Sequence, residues 1–177
     1  MARVVLGVSG SIAAYKACDL ASKLVQAGHT VDVVMTQAAR RFVQPLSFSA
    51  LTHREVFTDE TWFEGERSHE HLSATEEADL LVVAPATANV IAKFATGLAD
   101  EVLSAMVLAA ACPVLIAPAM NTRMWANPRT VANVERLRED GLRFVGPAEG
   151  YLSEAERGVG RMSEPSEILR EIDALLA

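Results

Sequence analysis

The chain has 177 residues, a length that suits one domain, residues 1–177, built around a single core. Half of the residues are apolar, 6% are aromatic, and the formal net charge is −7. That balance excludes the basic footprint of a nucleic-acid-binding domain, and no apolar run reaches membrane-spanning length. The apolar mass is mainly Ala, Val and Leu, as in helices packed on a buried sheet. Cys18 and Cys112 form no CxxC or Cys/His cluster, so no metal is expected and both read as buried, reduced thiols. The start, Met1 to Gly7, reads as a short strand and not as a signal peptide, which gives a cytoplasmic expectation.

Arg3 to Val8 reads as a buried strand, followed by a turn at Ser9-Gly10-Ser11 and a helix to about Gln26. Ala17, Leu20, Ala21, Leu24 and Val25 fall on one face of that helix, and Gly28 closes it. Thr30 to Met35 is the second strand of a parallel strand–helix–strand unit. Asp79 to Ala84 is apolar on both faces, as in a covered parallel sheet. Helices follow over Ala88–Phe94 and Asp100–Ala110, then a strand over Pro113–Ala117. A helix from Pro128 to Asp140 closes at Gly141, and Leu142 to Val145 is the last strand. Ser163-Glu164-Pro165 opens a final helix with Ile168, Leu169, Ile172, Leu175 and Leu176 on one side. Alternating strands and helices predict an α/β fold, a doubly wound parallel sheet.

Small and polar residues cluster where strands end: Ser9-Gly10-Ser11, Thr36, Pro85 to Asn89, and Pro118 to Asn121. Ligands of open α/β sheets bind outside the carboxyl ends of the strands, so four such clusters predict one composite pocket. At the first, Gly10 permits close backbone approach, and the N–H groups of Ser11, Ile12 and Ala13 face a potential anion at a helix start. Ser11 also reads as an ordinary helix cap. The spacing Gly7-x-x-Gly10 departs from G-x-G-x-x-G, and Met35-Thr36 offers no acid for a ribose hydroxyl. These features disfavour NAD and suit a ligand with one terminal phosphate, such as FMN. Lys16 reads as a solvated surface lysine.

His71 can exchange a proton near neutral pH, and it also reads as a plain surface histidine. Asn121 offers donors and acceptors to a carboxylate or amide, and equally an N-cap. Met124 and Trp125 read either as a wall for a flavin or substrate, or as core. The segment Gly150 to Met162, rich in glycine and ending Gly160-Arg161-Met162, reads as a tightly bending loop that covers a site.

Gly10-Ser11-Ile12-Ala13-Ala14-Tyr15-Lys16, His71, Ala84 to Asn89, Pro118-Ala119-Met120-Asn121-x-x-Met124-Trp125 and Gly160-Arg161-Met162 occur in one order. The chain thereby resembles the homo-oligomeric flavin-containing cysteine decarboxylases over its whole length. The resemblance implies a flavodoxin-like, Rossmann-type three-layer sandwich, bound FMN, and a homotrimer or dodecamer. It implies an FMN phosphate on Gly10, Ser11 and Ile12 with the Thr36 hydroxyl. By the same resemblance Thr87, Ala88, Asn89, Val90 and Ala119 are expected to line the flavin, His71 to be the base, and Asn121, beside Met124, to hold the substrate carboxylate. The coenzyme A branch acts on 4'-phosphopantothenoylcysteine and works beside a synthetase, fused or separate. Its loop carries a cysteine that serves the final reduction, and Glu154 stands at that position here. Glu154 reads either as a substitute proton donor or as a solvated glutamate. The product is then the saturated thiol or the enethiol. Two alternatives stay open: a peptidyl-cysteine decarboxylase of the lantibiotic type, and a non-catalytic FMN-binding regulatory protein.

Overall fold

The structure, a computed structural model, describes residues 1–62, 74–151 and 157–177. The strands of its main sheet are β1 (Arg3–Val8), β2 (Thr30–Met35), β3 (Val56–Phe57), β4 (Leu80–Ala86), β5 (Val114–Pro118) and β6 (Arg143–Phe144). All pair in parallel, in the order β3-β2-β1-β4-β5-β6. This is the dinucleotide-type order. Without the two-residue edge strand β3, the remaining five strands follow the flavodoxin order. Both therefore put the topological switch point between β1 and β4. The doubly wound sheet expected from the sequence is present.

Strand periodicity explains the layers. Val4, Leu6 and Val8 of β1 enter one core with α1 (Ala14–Gln26), α2 (Pro45–Thr52) and α8 (Pro165–Leu176). Val5 enters the other, with α4 (Ala88–Thr96), α5 (Val102–Ala109) and α7 (Pro128–Glu139). Each strand residue thus serves the helix layer its pleat faces. Beta4 breaks the alternation: Ala84 belongs to the first core and Ala86 to the second. The cause is a register shift against β5 between Val83 and Ala86, which re-aims the chain where it leaves the sheet. Asp32 is the charged exception on β2, 2% exposed, and is balanced by Arg3 at 2.8 Å and by Arg54.

Some elements were not legible in the sequence. Alpha2 buries only Phe48 and Thr52, and α3 (Asp59–Trp62) and α6 (Thr122–Trp125) last about one turn each. The two short helices have no room for a helical period, and α2 has too few buried residues to show one. The segment read as a bending loop carries an antiparallel hairpin, β7 (Ala148–Tyr151) with β8 (Arg157–Arg161). Its apolar residues are too few to mark strands, and its glycines serve the docking described below. No helix among the described residues is long and apolar enough to cross a membrane.

Candidate cofactor and substrate site

The ends of β1 and β4 are joined by Ser9, which is 1% exposed. Its hydroxyl donates to the Pro85 carbonyl at 2.8 Å and accepts from the Thr87 N–H at 3.1 Å. The side chain thereby replaces ladder bonds that the β4 irregularity removes. Gly10 follows. A Cβ there would lie 2.4 Å from the Ala38 Cβ and 2.9 Å from its carbonyl carbon, so only glycine lets the loops after β1 and β2 meet.

Ser11 O accepts from the Ala14 N–H, and Ser11 Oγ accepts from the Ala13 N–H at 3.2 Å. The serine thus closes a turn before α1, whose N-cap is Ala13, and does not itself cap the helix. No hydrogen bond among the described residues engages the N–H of Gly10 or Ile12. The result is a backbone cradle at the start of a 13-residue helix, suited to a terminal phosphate. Thr36 sits behind it, buried, and its hydroxyl accepts from the Ala39 N–H.

The cradle opens into a cleft of about 480 Å³, a size that suits a cofactor with its substrate. Gly10, Ser11, Ile12, Thr87, Ala119, Asn121 and Met124 all line it. Thr87 caps α4, accepting from the Val90 N–H at 3.5 Å. Ala88 and Asn89 form the first turn of α4, while the Val90 side chain is 2% exposed and packs in the core, away from the cleft wall. Asn121 caps α6: its carboxamide oxygen accepts from the Arg123 N–H at 2.7 Å. That bond orients the carboxamide nitrogen as the donor end, the end a carboxylate requires. Met124 is half-exposed at the cleft, and Trp125 packs against the second core. His71 and Glu154 lie outside the described residues.

The hairpin completes the cleft through Tyr151, Gly160, Arg161 and Met162. It is seated on the Asn121 loop. The Met120 N–H donates to Gly160 O at 2.9 Å. A Cβ at Gly160 would lie 2.2 Å from Met120 O, and one at Gly158 2.4 Å from Thr122 Oγ1. Both missing Cβ positions face the Met120–Thr122 segment, next to a register shift of β7 against β8 at Gly160, so the Gly-x-Gly spacing is the docking face of β8.

Lys16 corrects the sequence reading. Its side chain is 15% exposed and its Nζ sits 2.8 Å from Glu164 Oε1, at the cleft wall and not in open solvent. Glu164 also meets Arg161 Nη1 at 3.0 Å. Arg161, Tyr15 and Tyr151 also line the cleft; the sequence places them only inside longer motifs and gives none of them a role of its own. Cys18 and Cys112 are free and half-buried, less enclosed than expected. Burial pushes both thiols up from 9.0, so they remain protonated at neutral pH, and neither lines the cleft. No group of metal-binding side chains occurs among the described residues.

A model of the Flavoprotein family matches residues 1–177. The chain belongs to this family. Among curated flavoprotein relatives, the coenzyme A biosynthesis bifunctional protein CoaBC of Bacillus subtilis is 51% identical over 167 residues, covering 94% of this chain and 41% of the relative. The protein of the same name from Mycolicibacterium smegmatis is 47% identical over 180 residues, covering 98% of this chain and 42% of the relative. The chain therefore spans about two fifths of the length of these relatives. Among solved flavoprotein structures, a PPC decarboxylase mutant complexed with pantothenoylaminoethenethiol superposes with a TM-score of 0.90 at 34% identity, covering 98% of this chain and 97% of that one. The FMN-dependent cysteine decarboxylase SpaF gives a TM-score of 0.82 at 36% identity, covering 100% and 98%.

Proposed function

We propose that this chain is an FMN-dependent carboxy-lyase that decarboxylates 4'-phosphopantothenoylcysteine in coenzyme A biosynthesis. The observation that carries the reading is the joining, in one cleft, of a backbone phosphate cradle and an oriented Asn121 carboxamide. The names of the relatives and of the superposing structures support it.

In this reading residues 1–177 act as one flavoprotein domain. Gly10, Ser11 and Ile12, with Thr36 behind them, hold the FMN phosphate. Thr87, Ala88, Asn89 and Ala119 flank the ring system, and Val90 supports that wall from the core. When bound, FMN supplies a two-electron oxidation at the thiol end of the substrate. Asn121 binds and orients the cysteinyl carboxylate, and Met124 closes against the substrate chain. His71 takes the proton from the reacting end. The carboxylate leaves as carbon dioxide and the cysteinyl unit becomes an enethiol. Glu154, in place of a loop thiol, bears on whether that enethiol is then reduced.

Exposed apolar side chains rim the cleft, Ile12 at 61%, Tyr15 at 62% and Tyr151 at 76%. They support a homo-oligomer, trimer or dodecamer, in which a second copy covers the mouth. The bifunctional relatives support a synthetase partner, fused or separate, and with it a cytoplasmic setting. The 36% identity to SpaF, named an FMN-dependent cysteine decarboxylase, supports a second reading in which the cysteinyl substrate differs, a peptide ending in cysteine being the alternative the sequence leaves open.

The test is carbon dioxide release by the FMN-loaded protein from 4'-phosphopantothenoylcysteine and from a peptide ending in cysteine, with the product mass recorded. The first substrate is expected to be preferred. Preference for the peptide establishes the second reading, and release from neither, with FMN bound, returns the chain to a regulatory flavoprotein.

A further inference from the structure

Lys16, Arg161 and Glu164 are not used by the chemistry above, yet the two cations line the same cleft as Asn121. Both converge on one oxygen of Glu164, at 2.8 and 3.0 Å. Among the described residues both cations pair with this one carboxylate, while the nearby Glu167 carboxylate is directed at the Glu164 N–H, so the pairing itself leaves a surplus positive charge. Arg161 Nε is buried without a hydrogen-bond partner. Its guanidinium lies against the bare α-carbon of Gly150, where a Cβ would stand 2.8 Å from Nε and 3.2 Å from Cζ. The hairpin thus leaves room for a planar cation at the cleft wall and leaves part of its donor fork unspent.

We propose that Lys16 and Arg161 read a second anion on the substrate, a phosphate monoester at the end remote from the cysteinyl carboxylate. This deepens the reading of the preceding subsection and rests on it. The cofactor phosphate has its own receptor in backbone N–H groups at the start of α1. The charged side chains come instead from further along α1, from β8 and from the start of α8. A phosphate monoester brings two negative charges near neutral pH and three acceptor oxygens, the partner a guanidinium fork matches best. Glu164 holds both cations in place before substrate arrives and yields one of them when it does. A peptide with an uncharged chain at that point leaves the surplus charge unanswered, so the cluster selects the phosphorylated pantothenoyl chain.

The test is equilibrium binding of 4'-phosphopantothenate and of pantothenate to the FMN-loaded protein by calorimetry. It needs no turnover, so its outcome is separate from that of the carbon dioxide assay. The readout is the ratio of the two Kd values. The wild-type chain is expected to favour the phosphorylated ligand by roughly 10-fold or more, the range of charge-assisted hydrogen bonds. Arg161→Ala should collapse that ratio toward unity, and Arg161→Lys should keep part of it. Glu164→Gln should hold or raise the ratio, because it removes the competing carboxylate while loosening the same ion pairs. A ratio unchanged in Arg161→Ala overturns the proposal. A fall in Glu164→Gln equal to that in Arg161→Ala overturns it too and makes the cluster a mechanical clip. Loss of FMN from Arg161→Ala overturns it in favour of the cofactor phosphate.

Discussion

The two walls of the cleft are held in place by different means. The cradle at the ends of β1, β2 and β4 is part of the sheet. Its loops are joined by Ser9 through backbone partners and pressed together at Gly10 and Ala38. The hairpin stands outside both hydrophobic cores except through Met162, and among the described residues it is seated by two glycine faces, one backbone hydrogen bond and one ion pair to a part-exposed carboxylate. Damage to the cradle should therefore cost the fold, and damage to the hairpin should cost only function. The rigid wall receives the part of a ligand that never changes, and the lightly fastened wall meets the part that differs between substrates.

Four changes test that contrast. The largest effect belongs to Gly10→Ala: the Ala38 methyl, fixed to its backbone, and the Ala38 carbonyl carbon obstruct the new Cβ, so stability in urea should fall by about 3 kcal/mol and FMN should be lost. Next is Ser9→Ala, which strands the Thr87 N–H and leaves the Pro85 carbonyl only the longer bond from the Ser9 N–H at 3.3 Å, and should cost about 1.5 kcal/mol in the same titration. Gly160→Ala meets an equally close atom, Met120 O, yet should lower stability by less than about 1 kcal/mol because the hairpin opens locally. Carbon dioxide release should nevertheless drop on the order of 10-fold as the Asn121 loop shifts. A loss of stability as large as that of Gly10→Ala would erase the distinction between the walls.

The smallest effect is carried by pH in the scaffold. Burial pushes the Glu101 carboxyl above 4.5, opposed in part by the Lys93 ammonium, with Nζ 3.2 Å from Oε1. The folded chain then holds this proton longer than the unfolded chain does. The contribution of Glu101 is therefore lost as pH rises from about 4.5 through its higher folded value. Glu101→Gln should flatten that slope in urea titrations repeated across acidic pH, without moving FMN binding.

Legibility followed the same division. Beta1 and β2 were readable to the residue, because buried parallel strands are continuous apolar runs, and the face of α1 was readable from its period. The cradle was readable as a cluster of small polar residues at strand ends. The hairpin was not. Its strands are set by contacts that glycines permit, and a missing Cβ carries no hydrophobic period. Lys16 looked like a surface residue because its partner, Glu164, is 148 positions away, and only the packing of α8 against α1 brings them together. Val90 shows the opposite limit: a motif places it at the cofactor, while helix geometry turns its side chain into the core.

The central claim is that the cleft joins a bound flavin to a cysteinyl carboxylate. It is tested most directly by mixing the yellow FMN-loaded protein with 4'-phosphopantothenoylcysteine without oxygen, following flavin absorbance and carbon dioxide together. The account predicts one carbon dioxide per active site in the first turnover, with the absorbance falling in step and a product lacking the carboxyl group. Bound flavin that neither bleaches nor accompanies carbon dioxide release, at substrate concentrations that saturate binding, would contradict it.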